Sequence, residues 1–172
     1  MSAPYAVCNL GVYAAKNVES YNKSVQATFD VPNGSFLSIT GLLSGQNDTY
    51  VASTPLDVTT QEVLLIKTPE IIEINGLRLD LTDITNFFNP AGKPAHAIHV
   101  KVGDDITITS DGFTGSPTAG QYAVPANGVA TLASAANLSG GTVVAFQVLS
   151  ATTIAIGQTR KTAYRLLCVK SR

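Results

Sequence analysis

Residues 25–31, VQATFDV, put Val25, Ala27, Phe29 and Val31 on one side of an extended chain and Gln26, Thr28 and Asp30 on the other. This two-residue period recurs along the chain and constrains the fold more than any other feature. LRLDL sets Leu77, Leu79 and Leu81 against Arg78 and Asp80. TVVAFQVL groups Val144, Phe146 and Val148, and AYRLLCV groups Tyr164, Leu166 and Cys168. Turn signals punctuate the runs at Pro32-Asn33-Gly34, Asn75-Gly76, Pro90-Ala91-Gly92, Asp111-Gly112 and Asn127-Gly128. Short alternating runs with frequent turns predict an all-β fold, a single β-sandwich or barrel domain. Alternation does not give strand order, so both architectures stand at this level.

Helical signal is thin. Thr82 or Asp83 can cap a turn through DITNFF before Pro90 ends it. In AAKNVESYNKSV, Val18, Tyr21 and Val25 have helical spacing and Glu19 precedes Lys23 by four residues. Residues 1–24 are therefore read as an extended or partly helical N-terminal arm and residues 25–172 as the β-domain. Residues 112–142 are uncharged and rich in Gly, Ala, Ser and Thr, which suits a long loop or small-residue strands in an interface.

At 172 residues the chain can bury a substantial core without disulfides or metals. Only 13% of it is charged, whereas soluble domains average about a quarter. So little charge suits a surface that meets other protein better than one that faces only water. No apolar run is long enough to span a membrane as a helix. The first eleven residues, MSAPYAVCNLG, hold no basic region followed by an apolar core, so no signal peptide is expected and Cys8 and Cys168 are expected to stay reduced. All 12 acidic residues lie at or before Asp111. After it come Arg160, Lys161, Arg165, Lys170 and Arg172 and no acid. Either strands of the two halves interleave and cancel, or a basic C-terminal face meets an acidic neighbour. No basic stripe with interleaved aromatics accompanies these cations, so direct nucleic-acid binding is not expected.

The residue types that carry chemistry are present but poorly arranged for it. In VGDDITITSDGF, Asp105 and Asp111 stand roughly 20 Å apart along a straight strand, too far to share an ion. Asp104 and Asp111 read as turn residues at either end of that strand. No glutamate follows to close a calcium loop. In AHAIHVKV, His96 shares a face with Ile98, Val100 and Val102 while His99 points away, so the pair is not a zinc site. Glu70 and Glu73 fall on opposite faces of PEIIEI. No G-x-S-x-G, P-loop or G-x-G-x-x-G motif occurs. No catalytic, cofactor-binding or metal-binding residue is assigned, no cofactor is expected, and the chain is not expected to be an enzyme.

The stretches GVYAAKNVESYNKSVQATFDVPNG, VGDDITITSDGF, YAVPANG and IAIGQTRKTAYRLLCV together resemble the head decoration, or cement, proteins encoded beside the major capsid gene in tailed bacteriophages. That resemblance implies a β-rich virion protein without a cofactor, assembled in the bacterial cytoplasm. It also implies binding to the major capsid protein on the outer capsid surface, as a dimer or trimer. The expected capsid or subunit contacts are Tyr5, Tyr13, Lys16 and Tyr21 of the arm and Arg160, Lys161 and Arg172 of the basic end. Deleting the arm is expected to abolish shell binding and leave the β-domain folded. Two alternatives remain open. One is another virion subunit, such as a head-fibre base, tail tube or adaptor. The other is a carbohydrate-binding module using Tyr50, Phe113 or Tyr122.

Overall fold

The structure, a computed structural model, describes Ala6 and residues 22–74, 77–79, 84–156 and 159–172. The chain runs through β1 (Asn22–Gln26), β2 (Phe36–Leu42), β3 (Thr49–Ser53) and β4 (Val63–Ile66). A short hairpin follows, β5 (Ile72–Ile74) and β6 (Leu77–Leu79), then a 3-10 turn at Ile84–Asn86 and β7 (Pro94–Ile98), with a second 3-10 turn at Ser110–Gly112. The remaining strands are β8 (Asp105–Thr109), β9 (Phe113–Thr114), β10 (Tyr122–Pro125), β11 (Leu132–Ala135), β12 (Ala145–Ile156) and β13 (Thr159–Lys170). The fold is all-β.

Both expected architectures are combined. Strands β1-β3-β2-β4-β7 close into a five-stranded barrel, and β8-β13-β12-β10-β11-β9 form a six-stranded sheet. Within the barrel β1 runs parallel to β3, and the other pairings are antiparallel. Few strands leave a narrow interior, which is filled by a mixture of small and branched side chains. Ala27, Ala52, Ala95 and Ala97 line it with Val25, Leu37, Leu64 and Ile66.

The outer wall of the barrel faces the sheet. Phe36, Val63, Leu65 and Ile98 leave the barrel on that side and meet Ile106, Ile108, Leu132, Phe146, Val148, Tyr164, Leu166 and Cys168. The groupings read from TVVAFQVL and AYRLLCV thus lie on the inner face of the sheet. Strand β4 serves both cores. Its four residues, VLLI, are all buried, with Leu64 and Ile66 inside the barrel and Val63 and Leu65 between the layers. A strand buried on both faces loses the alternation of a half-exposed one. Phe36 of β2 and Phe146 of β12 join the layers edge to face, with ring centroids 5.5 Å apart.

Several turns fall where the sequence signals them. Gly34 supplies the positive φ (85°) of the Pro32-Asn33-Gly34 turn. The Asn33 side chain ties that turn to Thr68, accepting its backbone N–H at 3.0 Å. Ile74 pairs with Leu77 across a two-residue connection, Asn75-Gly76, which itself lies outside the described residues. DITNFF yields only the 3-10 turn. The uncharged stretch 112–142 contains β9, β10 and β11 joined by loops. In VQATFDV the strand ends at Gln26, and Phe29 is partly exposed while Val25, Ala27 and Val31 are buried.

Nearly all of the segment read as an arm lies outside the described residues, but its boundary can be refined. Strand β1 begins at Asn22, and Ser24 Oγ lies 3.1 Å from Thr49 Oγ1 on β3. Residues 22–24 therefore belong to the barrel, and a deletion meant to spare it must stop at residue 21. Ala6 is buried, and its Cβ would lie 3.4 Å from a Cβ at Gly112.

Gly112 is a glycine for want of space. A Cβ there would stand 2.5 Å from Cγ2 of the fully buried Ile108. Gly112→Ala is expected to lower stability by about 1–3 kcal/mol through overpacking. Gly140→Ala, at a site with nothing within 4 Å, is expected to stay within about 0.5 kcal/mol of the parent. Urea midpoints of the two variants check the contrast.

Candidate interaction surface

The three aspartates of VGDDITITSDGF are held by the chain itself. Asp104 is buried at 1% exposure, and its Oδ2 accepts the Lys101 N–H at 2.8 Å. Its backbone joins this turn to the end of β13, where Cys168 N–H donates to Asp104 O. Asp105 accepts Arg165 Nε at 2.8 Å, and Asp111 accepts Lys161 Nζ at 2.9 Å. Antiparallel pairing of β13 with β8 sets these partners side by side, Arg165 lying opposite Thr107. The acidic and basic halves of the sequence therefore interleave, and two of the five C-terminal cations are matched within the chain.

The expected contact residues are dispersed accordingly. Lys161 is engaged with Asp111. Arg172 donates through Nη1 to Thr60 O at 3.4 Å. Arg160 is exposed on β13, opposite Ala155 of β12. Tyr5, Tyr13, Lys16 and Tyr21 lie outside the described residues. The aromatics considered for sugar stacking are also dispersed. Phe113 is buried edge to face with Tyr164, at 5.1 Å between centroids. Tyr50 packs against the barrel core with Lys23 Nζ 5.1 Å from its ring centroid.

Two features stand out on the described surface. The first is a groove of about 440 Å³ at one end of the interlayer core, floored by Val63, Val100, Val143 and Val144 and rimmed by Glu62, His99 and Arg172. Hydrogen bonds shape its walls, from Val143 N–H to Val58 O at 2.8 Å and from Ser171 Oγ to Val100 O at 2.5 Å. His99 lies beyond the end of β7, with Nε2 2.5 Å from Glu62 Oε1. Glu62 sits 37 positions upstream, on the residue before β4, so sequence spacing could not pair the two. His96 turns elsewhere and places Nδ1 2.9 Å from Lys67 O. Among the described residues no three of His, Cys, Asp and Glu converge as a metal-binding set. Burial pushes the Cys168 thiol up to about 12, so it stays protonated near neutral pH.

The second feature is a ribbon. Strands β12 and β13 pair along their whole length, from Ala145↔Lys170 to Ile156↔Thr159. Their outer neighbours are shorter. Strand β10 meets β12 only at Phe146 and Gln147, and β8 meets β13 only from Ala163 to Leu167. Residues 149–156 of β12 run on past β10 and residues 159–162 of β13 past β8, so the paired segments 153–156 and 159–162 extend beyond both, roughly 13 Å at the rise of a strand. Leu149, Ser150, Ala151, Thr152, Thr153 and Ala155 are all exposed. Exposure at successive residues means that both faces of the ribbon are open there. The sequence signal was available, because β12 is twelve residues without charge, Pro or Gly. What the alternation could not show is that its neighbours stop early.

No described helix is long and apolar enough to cross a membrane. No family model, curated protein or solved structure matches the chain.

Burial pushes the His99 imidazole below its ordinary value, against the pull of Glu62, and Lys101 and Lys23 add to the lowering. A histidine depressed in the folded state contributes stability above its unfolded value near 6.5, and that contribution is lost as pH falls through the lower folded value. The urea midpoint is therefore expected to fall on acidification from pH 7 to pH 5. His99→Gln is expected to flatten that decline, as equilibrium unfolding at several pH values will check.

Proposed function

We propose that this chain is a structural virion protein that binds the outer surface of a phage capsid lattice and stabilises the mature head. The β12–β13 ribbon is the observation that carries this reading. It extends past the sheet, open on both faces along Leu149–Thr153, and beyond the end of β8 its described charges are Arg160 and Lys161, the latter held by Asp111. Ordering such an element has a conformational cost that a free monomer recovers poorly, because little core lies beneath it. A partner that covers both faces offsets that cost. The chain's low charge and the ion pairs of β13 with Asp105 on β8 and Asp111 in the turn after it also suit a surface recognised by shape and backbone rather than by charge. The resemblance of its sequence to decoration proteins points the same way.

The mechanism is linkage. A protein that binds the expanded lattice better than its precursor stabilises the expanded form by the difference in binding free energy. At ligand concentrations about a hundredfold above Kd, each occupied site contributes about 2.7 kcal/mol. Residues 1–21 are proposed as a second contact that reaches a neighbouring subunit.

Quantitative mass spectrometry of purified particles tests the reading. A copy number equal to the major shell subunit, or a fixed simple fraction of it, is expected. A handful of copies would assign the chain to portal, tail or fibres, and absence from particles would overturn the virion reading. Shells carrying the chain are also expected to disrupt at a higher temperature than bare shells. A chain lacking residues 1–21 is expected to keep its β-rich circular dichroism spectrum and lose that protection; full protection would remove the arm from the mechanism.

A further inference from the structure

We propose that the outer edge of β12, Ser150–Ile156, pairs with the same edge of a second copy of this chain, antiparallel about a two-fold axis. This goes beyond the capsid reading and stands or falls without it.

The backbone accounting comes first. The seam between β12 and its inner neighbours ends at Val148, whose carbonyl accepts Gly120 N–H and whose N–H donates to Gln121 O. A register irregularity follows between Val148 and Ser150, where the strand leaves the body of the sheet. From Ser150 to Ile156 no described strand lies on that side, so a row of backbone donors and acceptors faces outward. Native proteins usually guard such an edge with a lysine, a proline or a further bulge. SATTIAI contains none of these, and its threonines and isoleucines favour extended structure. The open edge is thus built to pair.

Charge selects the occupant. Strand β12 carries no ionised side chain, so two identical edges meet without repulsion, and a foreign strand finds no charge there to recognise. The nearest cations, Arg160 and Lys161, stand on β13, one strand back from the seam. In the pair, the two copies of Arg160 are separated by three strand spacings across the sheet, about 14 Å, and by a further four residues along it, which exceeds the screening length at physiological salt. With the axis at Thr153, Ser150 falls opposite Ile156 and Thr152 opposite Ile154 of the copy, and Thr153 meets itself. A stable dimer buries about 1,200 Å² or more, and a seam of seven residues on each side offers less. Pairing is therefore weak in dilute solution and strengthens wherever copies are held close together.

Sedimentation velocity of the full chain tests this directly. The mass is expected to rise from 17.9 kDa toward twice that value as concentration increases from about 1 μM to about 500 μM. Thr153→Lys and Thr153→Glu each place like charges across the axis, and each variant alone is expected to stay monomeric. An equimolar mixture of the two is expected to recover the dimer. Thr153 is exposed, so both variants should fold, and unchanged thermal midpoints will confirm that they do. A wild-type chain that remains monomeric at about 500 μM overturns the proposal. So does a dimer that both charge variants form as readily as the wild type, since its interface would then lie elsewhere.

Discussion

The double burial of β4 holds this structure together. Val63–Ile66 is the middle strand of the wall that both cores share, between β2 and β7, with alternate residues filling the barrel and the space between the layers. Neither core is complete without it. The barrel interior is narrow and combines four alanines with a few larger side chains, of which β4 supplies Leu64 and Ile66. The interlayer core needs Val63 and Leu65 beneath the six-stranded sheet, and the Phe36–Phe146 contact completes the seam. Barrel and sandwich are here one object, because the wall of the first is a layer of the second.

Electrostatics follows from the same topology. Placing β13 beside β8 brings Arg165 to Asp105 and Lys161 to Asp111, each pair drawn from sequence segments of opposite charge. Such partly exposed pairs contribute little stability individually. Their larger consequence is for recognition, because they neutralise part of the basic end. The surface that remains around the ribbon is β-rich and sparsely charged, with Arg160 exposed, and it invites contact through backbone and shape.

The ribbon and the groove differ in what they offer. The groove at Glu62, His99 and Arg172 is formed by loops tied across the layers, and the chain already uses its polar rim for internal contacts. Among the described residues, none pairs with the outer edge of β12 over Ser150–Thr153, where successive side chains are exposed. A structural partner gains more from the ribbon, whose open edge and open faces can each be covered. One edge pairing a second copy and two faces meeting a lattice are geometrically compatible roles for one element.

Alternation, turn chemistry and composition determined much of this protein by themselves. They carry the all-β class, the inward faces of β12 and β13, the turn at Gly34, the antiparallel pairing of Ile74 with Leu77, and the structural role of Asp104, Asp105 and Asp111. Each of these is local, since the pleat sends successive side chains to opposite faces and a glycine or asparagine marks where the chain must reverse. Tertiary structure alone decided barrel closure, the parallel pairing of β1 with β3, the meeting of His99 with Glu62, and the overhang of β12 and β13. Those features depend on which distant strand lies alongside and where it stops. A strand's own sequence does not encode its neighbour's length, and only packing two cores around one shared wall settles it.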